Sequence, residues 1–282
     1  MGLISEGRIH ICAELGTNHS GSLETACQLI DAAKAAGADS VKFQKRATGL
    51  IPESVAGQMR QTPWGYISYQ EYKERIEFSV DDYRCLQAHA DRVGIPMWWS
   101  VWDISSLVAI KENFEPFAYK VPSARLTDHD LLKALKARTV PIVLSTGMST
   151  VEQVDDAVNI LFDQGNEIVV VHCNSTYPCP PADLNLKAIR SMQVRYAPLS
   201  VGYSCHATGL APSVAAAGMG IVFLEKHLTL DRSSWGTDQA ASVEPQGFRR
   251  LVKDVRLVEA ALGDGVKRVT DGEQEAMVRL RG

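Results

Sequence analysis

Leu199-Ser200-Val201-Gly202-Tyr203-Ser204-Cys205-His206 and Ile221-Val222-Phe223-Leu224-Glu225-Lys226-His227 are two short, strand-like apolar runs, and each delivers a histidine at its end. Residues 207–220 between them suffice for a loop and a short helix. As parallel neighbours, the two strands would carry both imidazoles to the same end of a sheet. Two histidines so placed are a candidate site for a divalent metal, with water or substrate completing the shell. For either histidine alone, a satisfied structural role is the commoner reading.

Six further apolar runs precede the pair, at 9–13, 40–44, 97–101, 118–121, 141–145 and 168–173; the pair itself occupies 200–204 and 221–226. Between the runs lie stretches of helical periodicity at 23–36, 80–93, 104–111, 130–137, 151–162, 186–192 and 211–218, and a last helix is expected at 245–262. Apolar strands alternating with helices predict a parallel sheet covered on its outside. Eight such units in 282 residues favour a single-domain α/β fold, the (β/α)8 or TIM barrel, which typically needs about 250 residues. A doubly wound open sheet is the competing architecture. Boundary residues support the parse: Ser22 precedes the first helix and Gly37 follows it, while Thr150 can cap the helix that begins at 151.

Composition narrows the function class. The chain is 45% apolar and 22% charged, with a net charge of 29 − 33 = −4 and no basic block interleaved with aromatics, so no nucleic-acid partner is expected. Cys12, Cys27, Cys85, Cys173, Cys179 and Cys205 are scattered without CxxC spacing, which reads as reduced thiols in a cytoplasmic protein. Neither a signal peptide nor an apolar run of membrane-spanning length is visible, so no membrane partner is expected either. The connection 45–78 is unusually long and carries Pro52, Pro63, Trp64, Gly65 and several tyrosines. Its aromatic content favours a lid or interface loop over a disordered insert. A short polar tail follows from about residue 263.

In a (β/α)8 barrel the functional groups gather at the C-terminal strand ends. Those ends carry Glu14; Lys42 and Gln44; Ser100; Lys120 and Ser123; Ser145; His172, Asn174 and Ser175; Ser204 and His206; and Glu225 and His227. A lysine inside an apolar strand is costly to bury without an anionic partner. Lys42 and Lys120 therefore read either as structural ion pairs or, with the hydroxyls of Ser123, Ser145 and Ser204, as a pocket for a small phosphate- or carboxylate-bearing anion. Schiff-base chemistry is the competing use of the lysines. Glu14 and Glu225 are candidates for general acid/base work or for positioning metal-bound water. A metal beside an anion clamp suits condensation of an anionic enol with an aldehyde.

Several strings resemble the N-acetylneuraminate (sialic acid) synthase family: Ala13-Glu14-Leu15-Gly16-Thr17-Asn18-His19-Ser20-Gly21-Ser22, Gly37-Ala38-Asp39-Ser40-Val41-Lys42-Phe43-Gln44 and Leu144-Ser145-Thr146-Gly147-Met148. His172-Cys173, Tyr177-Pro178, Val201-Gly202-Tyr203-Ser204, Glu225-Lys226-His227 and Asp238 follow in family order, so the resemblance spans roughly residues 8 to 262. It implies an enzyme that condenses phosphoenolpyruvate with N-acetylmannosamine or a related aldose. By that resemblance Lys42, Lys120, Ser123, Ser145 and Ser204 would bind phosphoenolpyruvate, and His206 and His227 would hold Mn2+ or Mg2+. Glu14 would handle a proton beside the reacting carbons; Gln44, Tyr177 and Asp238 would contact the sugar. The products would be a 2-keto-3-deoxy sugar acid and phosphate, with no Schiff base.

The chain departs from the family pattern at several points. The usual Gly-Ser-Gly-Glu after the fourth strand reads Pro122-Ser123-Ala124-Arg125, placing a cation where the family has an acceptor-contacting carboxylate. The usual Ser-Thr-Pro after the third strand reads Ser100-Val101-Trp102, which removes a hydroxyl from the phosphate side. The Asp of Ser-Asp-His is Cys205, and the Asn two residues before Tyr177 is Ser175, with Asn174 adjacent. Bacterial members continue into a small antifreeze-like domain; here the expectation is the barrel alone, ending at Gly282, and paired as a homodimer. Arg125 is accordingly expected either to meet an acidic group on a different acceptor or to face solvent. A shorter aldose as acceptor, or a non-catalytic sugar-binding barrel, are the alternatives to a nonulosonate synthase.

Overall fold

Eight runs rich in Val, Ile and aromatic residues become eight parallel strands, because side chains branched at Cβ pack well on a pleated surface buried on both faces. In the computed structural model, which describes residues 3–5, 7–136, 140–162 and 167–281, these strands close into a barrel. They are β1 (His10–Gly16), β2 (Ser40–Lys45), β3 (Met97–Val101), β4 (Tyr119–Val121), β5 (Ile142–Ser145), β6 (Ile168–Cys173), β7 (Ser200–Cys205) and β8 (Phe223–His227). Each pairs with its sequence neighbour, and β1 closes the ring against β8. Closure removes the open-sheet alternative.

The register decides what the barrel mouth contains. Glu14 stands opposite Lys42 on one side and His227 on the other. Gln44 faces Ser100, Ser100 faces Lys120, and Glu225 faces Ser204. Chemically distinct groups far apart in sequence therefore form one belt. β1 runs to Gly16 rather than stopping near residue 13, with a register shift between Glu14 and Gly16. Gly16 adopts φ +45°, and a Cβ there would lie 2.9 Å from Glu14 Oε1, 3.0 Å from Asp238 Oδ2 and 3.1 Å from Gln44 Nε2. Only glycine lets the three polar side chains converge.

Helices Leu23–Ala36, Val80–Val93 and Pro245–Leu262 have the bounds expected from their periodicity. Ser22 Oγ accepts from the Thr25 amide at 3.2 Å, and Gly37 closes the first helix at φ 89°. That helix buries Ala26, Leu29, Ile30, Ala33 and Ala36 against the barrel. Burial of Leu29 and Ile30 contributes roughly 1.5–3 kcal/mol each. Thr150 forms a reciprocal capping box with Gln153. The helix expected at 130–137 is His129–Lys136, and Ala137 lies outside the described residues.

The long connection is ordered rather than structureless. It holds a short helix Glu53–Ala56, a hairpin of Met59–Thr62 with Gly65–Ser68, and a helix Tyr69–Ile76. The tail carries an exposed helix, Asp271–Arg281. All six cysteines are free thiols. Among the described residues no helix is long and apolar enough to cross a membrane.

Candidate active site

A cavity of 200 Å³ opens at the C-terminal strand ends. Its floor is a chain of alternating charges. Lys42 pairs with Glu14 and lies 3.8 Å from Glu225, which in turn holds Lys120 at 2.5 Å. All four side chains are at most 5% exposed. Two cations and two anions in so dry a place satisfy one another, where any one alone would not remain charged. Burial works to neutralise Lys42, but Glu14 and Glu225 outweigh it and hold the ammonium above its ordinary range. Burial likewise works against the Glu225 charge, yet Lys120 and Lys42 bring that carboxyl down to about 2. Glu225 is thus a fixed anion at neutral pH, a charge partner of the lysines rather than a proton donor.

Hydroxyls surround this floor. Ser100 Oγ accepts from Lys42 Nζ at 2.7 Å, and Ser204 Oγ, which is not part of the lining, donates to Glu225 at 3.3 Å. Ser123 Oγ accepts from the Gly147 amide at 3.1 Å and touches Cys173 Sγ, also at 3.1 Å. Ser145 Oγ is buried, lines the cavity and has no partner. An unsatisfied hydroxyl facing an empty volume beside two ammonium groups is a ready donor for an anion.

The opposite wall carries the imidazoles, whose ring centroids lie 5.5 Å apart. His206 Nδ1 reaches the Asn174 carbonyl at 2.5 Å; a carbonyl only accepts, so Nδ1 bears the proton and Nε2 accepts from the Tyr177 hydroxyl at 2.8 Å. Lys226, wholly buried, donates to the carbonyls of Cys205 and Ala207 and so fixes the turn bearing His206. Burial, reinforced by His227, lowers the His206 pKa to about 3, which keeps it neutral. His227 Nδ1 is buried without a hydrogen bond, 3.8 Å from Asp238 Oδ2. A neutral imidazole and an orphaned imidazole nitrogen are the right donors for a divalent ion. Among the described residues no third His, Cys, Asp or Glu joins them as a ready-made cluster, so water or substrate oxygens would supply the other positions. Asp238 loses to burial but gains more from His227 and the Thr237 hydroxyl, which hold its carboxyl below the usual range.

Gln44 Nε2 donates to Glu14 Oε1 at 3.1 Å and Tyr177 stacks on His206 at 4.0 Å, so both face the cavity as expected. Besides Ser204, three expected contacts do not line it: Asp238, whose carboxylate lies 3.8 Å from His227 Nδ1, Arg125 and Asn174. Arg125 sits in a turn with its guanidinium 3.7 Å from Asp128, outside the lining. Asn174 gives its amide to the Asp183 carbonyl and accepts from the Thr176 amide, so its side chain holds a loop instead. Trp102, Pro122, Ala124 and Met148 line the cavity without having been candidates, and Ser175, one of the expected strand-end groups, lines it too. Trp102 directly follows β3, and that position was the available signal.

A family model, the NeuB family, matches residues 29–267. Over 273 residues the chain is 37% identical to N-acetylneuraminate-9-phosphate synthase of Homo sapiens, covering 96% of this chain and 76% of that protein. It is 34% identical over 271 residues to N,N'-diacetyllegionaminic acid synthase of Campylobacter jejuni, covering 94% and 80%. The crystal structure of N-acetylneuraminic acid synthetase from Leptospira borgpetersenii, in complex with citrate, superposes with a TM-score of 0.86 at 27% identity, covering 99% of this chain and 94% of that one.

Proposed function

The chain belongs to the NeuB family, and on that premise we propose that it condenses phosphoenolpyruvate with N-acetylmannosamine or a related aldose to a nonulosonic acid and phosphate. The observation that carries this reading is the anion-ready floor: Lys42 and Lys120 buried beside the unpartnered hydroxyl of Ser145. Lys42 and Lys120 clamp the phosphate and carboxylate as point charges, with Ser100, Ser123 and Ser145 as neutral donors. C3 of phosphoenolpyruvate forms a bond to the aldehyde carbon, whose oxygen takes a proton. Water adds at C2 and the C–O bond to phosphate breaks. Glu14, with one oxygen held by Gln44 and the other by Lys42, is the group this reading assigns to that proton traffic. Gln44, Tyr177 and Asp238 orient the acceptor.

His206 and His227 fit a divalent ion, and an imidazole pair favours Mn2+ over Mg2+. When bound, such an ion would polarise the aldehyde. The Schiff-base alternative requires a deprotonated lysine, whereas Lys42 is driven toward its charged form by two carboxylates.

Phosphate release from phosphoenolpyruvate, measured with a panel of aldoses with Mn2+, with Mg2+ and with chelator, tests the reading. Release that depends on both aldose and metal, faster with Mn2+, is expected. Silence with every acceptor would favour a sugar-binding barrel instead.

A further inference from the structure

A smaller cavity lies on the face of the barrel opposite the catalytic mouth. It measures 170 Å³ and sits at the N-terminal ends of β1 to β4, where Ile9, His10, Asp39, Pro96 and Phe117 line it together with Arg8. The synthase reading uses none of these residues. Phe117 and Pro96 are half-buried, and the Phe117 ring is backed by Trp98 at 5.6 Å and by His10 at 6.0 Å. One wall of the cavity is therefore a fixed apolar surface.

The polar groups present donors. Trp98 Nε1 donates to Ser40 Oγ at 3.1 Å, and that oxygen lies 2.8 Å from His10 Nε2. With the serine oxygen already accepting, its hydrogen goes to Nε2, which places the imidazole proton on Nδ1. Among the described residues nothing accepts from Nδ1, and the atom is open to the cavity rather than sealed in the core. The nearby acceptors are already used. Asp39 takes Arg8 at 2.5 Å, Arg256 at 2.6 Å and the Ile11 amide at 2.8 Å. Glu259 takes Arg256 at 2.9 Å and the Ile9 amide at 2.5 Å. Arg8 gives one nitrogen to Asp39, and the rest of its fork has no partner among the described residues.

Two unused donors beside an apolar wall define the ligand. A metal ion would find no free acceptor here, and a plain hydrocarbon would leave both donors unanswered. A carboxylate answers both, since an arginine fork matches its two oxygens. Size sets the rest: a dry cavity of about 150 Å³ takes one benzene ring, so 170 Å³ suits a single ring with a small substituent. We propose that this cavity binds a small planar monocarboxylate, with its oxygens on the His10 Nδ1 proton and Arg8 and its ring against Phe117 and Pro96. The site is separate from the mouth, so its occupant is not a substrate of the condensation.

Titration calorimetry with benzoate as the probe tests this, with benzamide and acetate as controls. Benzoate should bind wild type saturably, with a Kd on the order of 1 mM or tighter. Acetate lacks the ring and benzamide lacks the charge, so each should bind at least tenfold more weakly. Arg8→Gln changes a side chain that is 58% exposed, and His10→Phe keeps an aromatic ring without the donor. Each should weaken benzoate at least tenfold; if His10→Phe does not fold, Arg8→Gln decides alone. No saturation below about 20 mM benzoate would overturn the proposal. So would equal benzoate affinity in wild type and Arg8→Gln, or acetate or benzamide binding as tightly as benzoate. Added phosphoenolpyruvate should leave the benzoate affinity unchanged. Displacement would put benzoate on Lys42 and Lys120 at the mouth and overturn the site, whatever becomes of the synthase reading.

Discussion

Gly16 shows how much chemistry one missing methyl group permits. Its left-handed backbone and the three polar atoms crowding its α-carbon leave no room for a side chain. Gly16→Ala should cost about 1–2 kcal/mol for the backbone conformation alone. It should also splay Glu14, Gln44 and Asp238, lowering kcat at least tenfold by steady-state assay. A variant with wild-type kcat would show that their convergence is immaterial. At this scale the sequence was informative wherever a residue sits on a strand, since alternation and position near the C-terminal end fix which way it points. Glu14, Lys42, Lys120, Glu225 and His227 were legible for that reason. Asn174 and Arg125 lie beyond strand ends, where local hydrogen bonds and turns direct side chains: Asn174 holds a loop, and Arg125 takes the outward of its two expected placements, beside Asp128.

The insertion is the element that strand periodicity did not reveal. Its hairpin strands are four residues long and bury only Thr62 and Ile67, too short and too polar to stand out as alternation. The Pro63-Trp64-Gly65 turn was the visible trace. What anchors the segment is tertiary. Lys45 Nζ donates to Glu77 at 2.6 Å and to the Phe78 carbonyl at 2.9 Å, and Tyr72 packs edge-on against Trp235 at 5.1 Å. Breaking a largely buried pair from one side costs on the order of 3 kcal/mol. Glu77→Ala should therefore loosen residues 46–77 without unfolding the barrel. Limited proteolysis should cut the variant within that span faster than wild type while the remaining fragments stay folded. An unchanged digestion pattern would mean that the ion pair is not the anchor. Helices on the barrel wall were read closely because their apolar faces repeat over several turns, as in Leu23–Ala36.

Over the whole molecule, barrel closure was legible from the count of alternating units and the length of the chain, whereas the register that sets Glu14 against both Lys42 and His227 was not. The closed core also fixes acid tolerance. Burial lowers the pKa of His10, at the N-terminal end of the barrel, to about 4, with Arg256 assisting against the pull of Asp39. Burial does the same to His19, which stacks on Phe78 at 4.2 Å. The unfolded chain would protonate both near pH 6.5, so their stability contribution is complete above that pH and is lost as pH falls toward 4. At pH 5 the loss is about 2 kcal/mol for each. Urea midpoints should drop clearly between about pH 7.5 and 5, and a flat profile would contradict this. The same closure imposes an order on biosynthesis. Glu14 leaves the ribosome before β2 to β7 are made, and its register partner His227 follows only with β8. Until then the nascent chain holds an acidic group with half its setting absent, so the catalytic centre matures in a single late event rather than piece by piece.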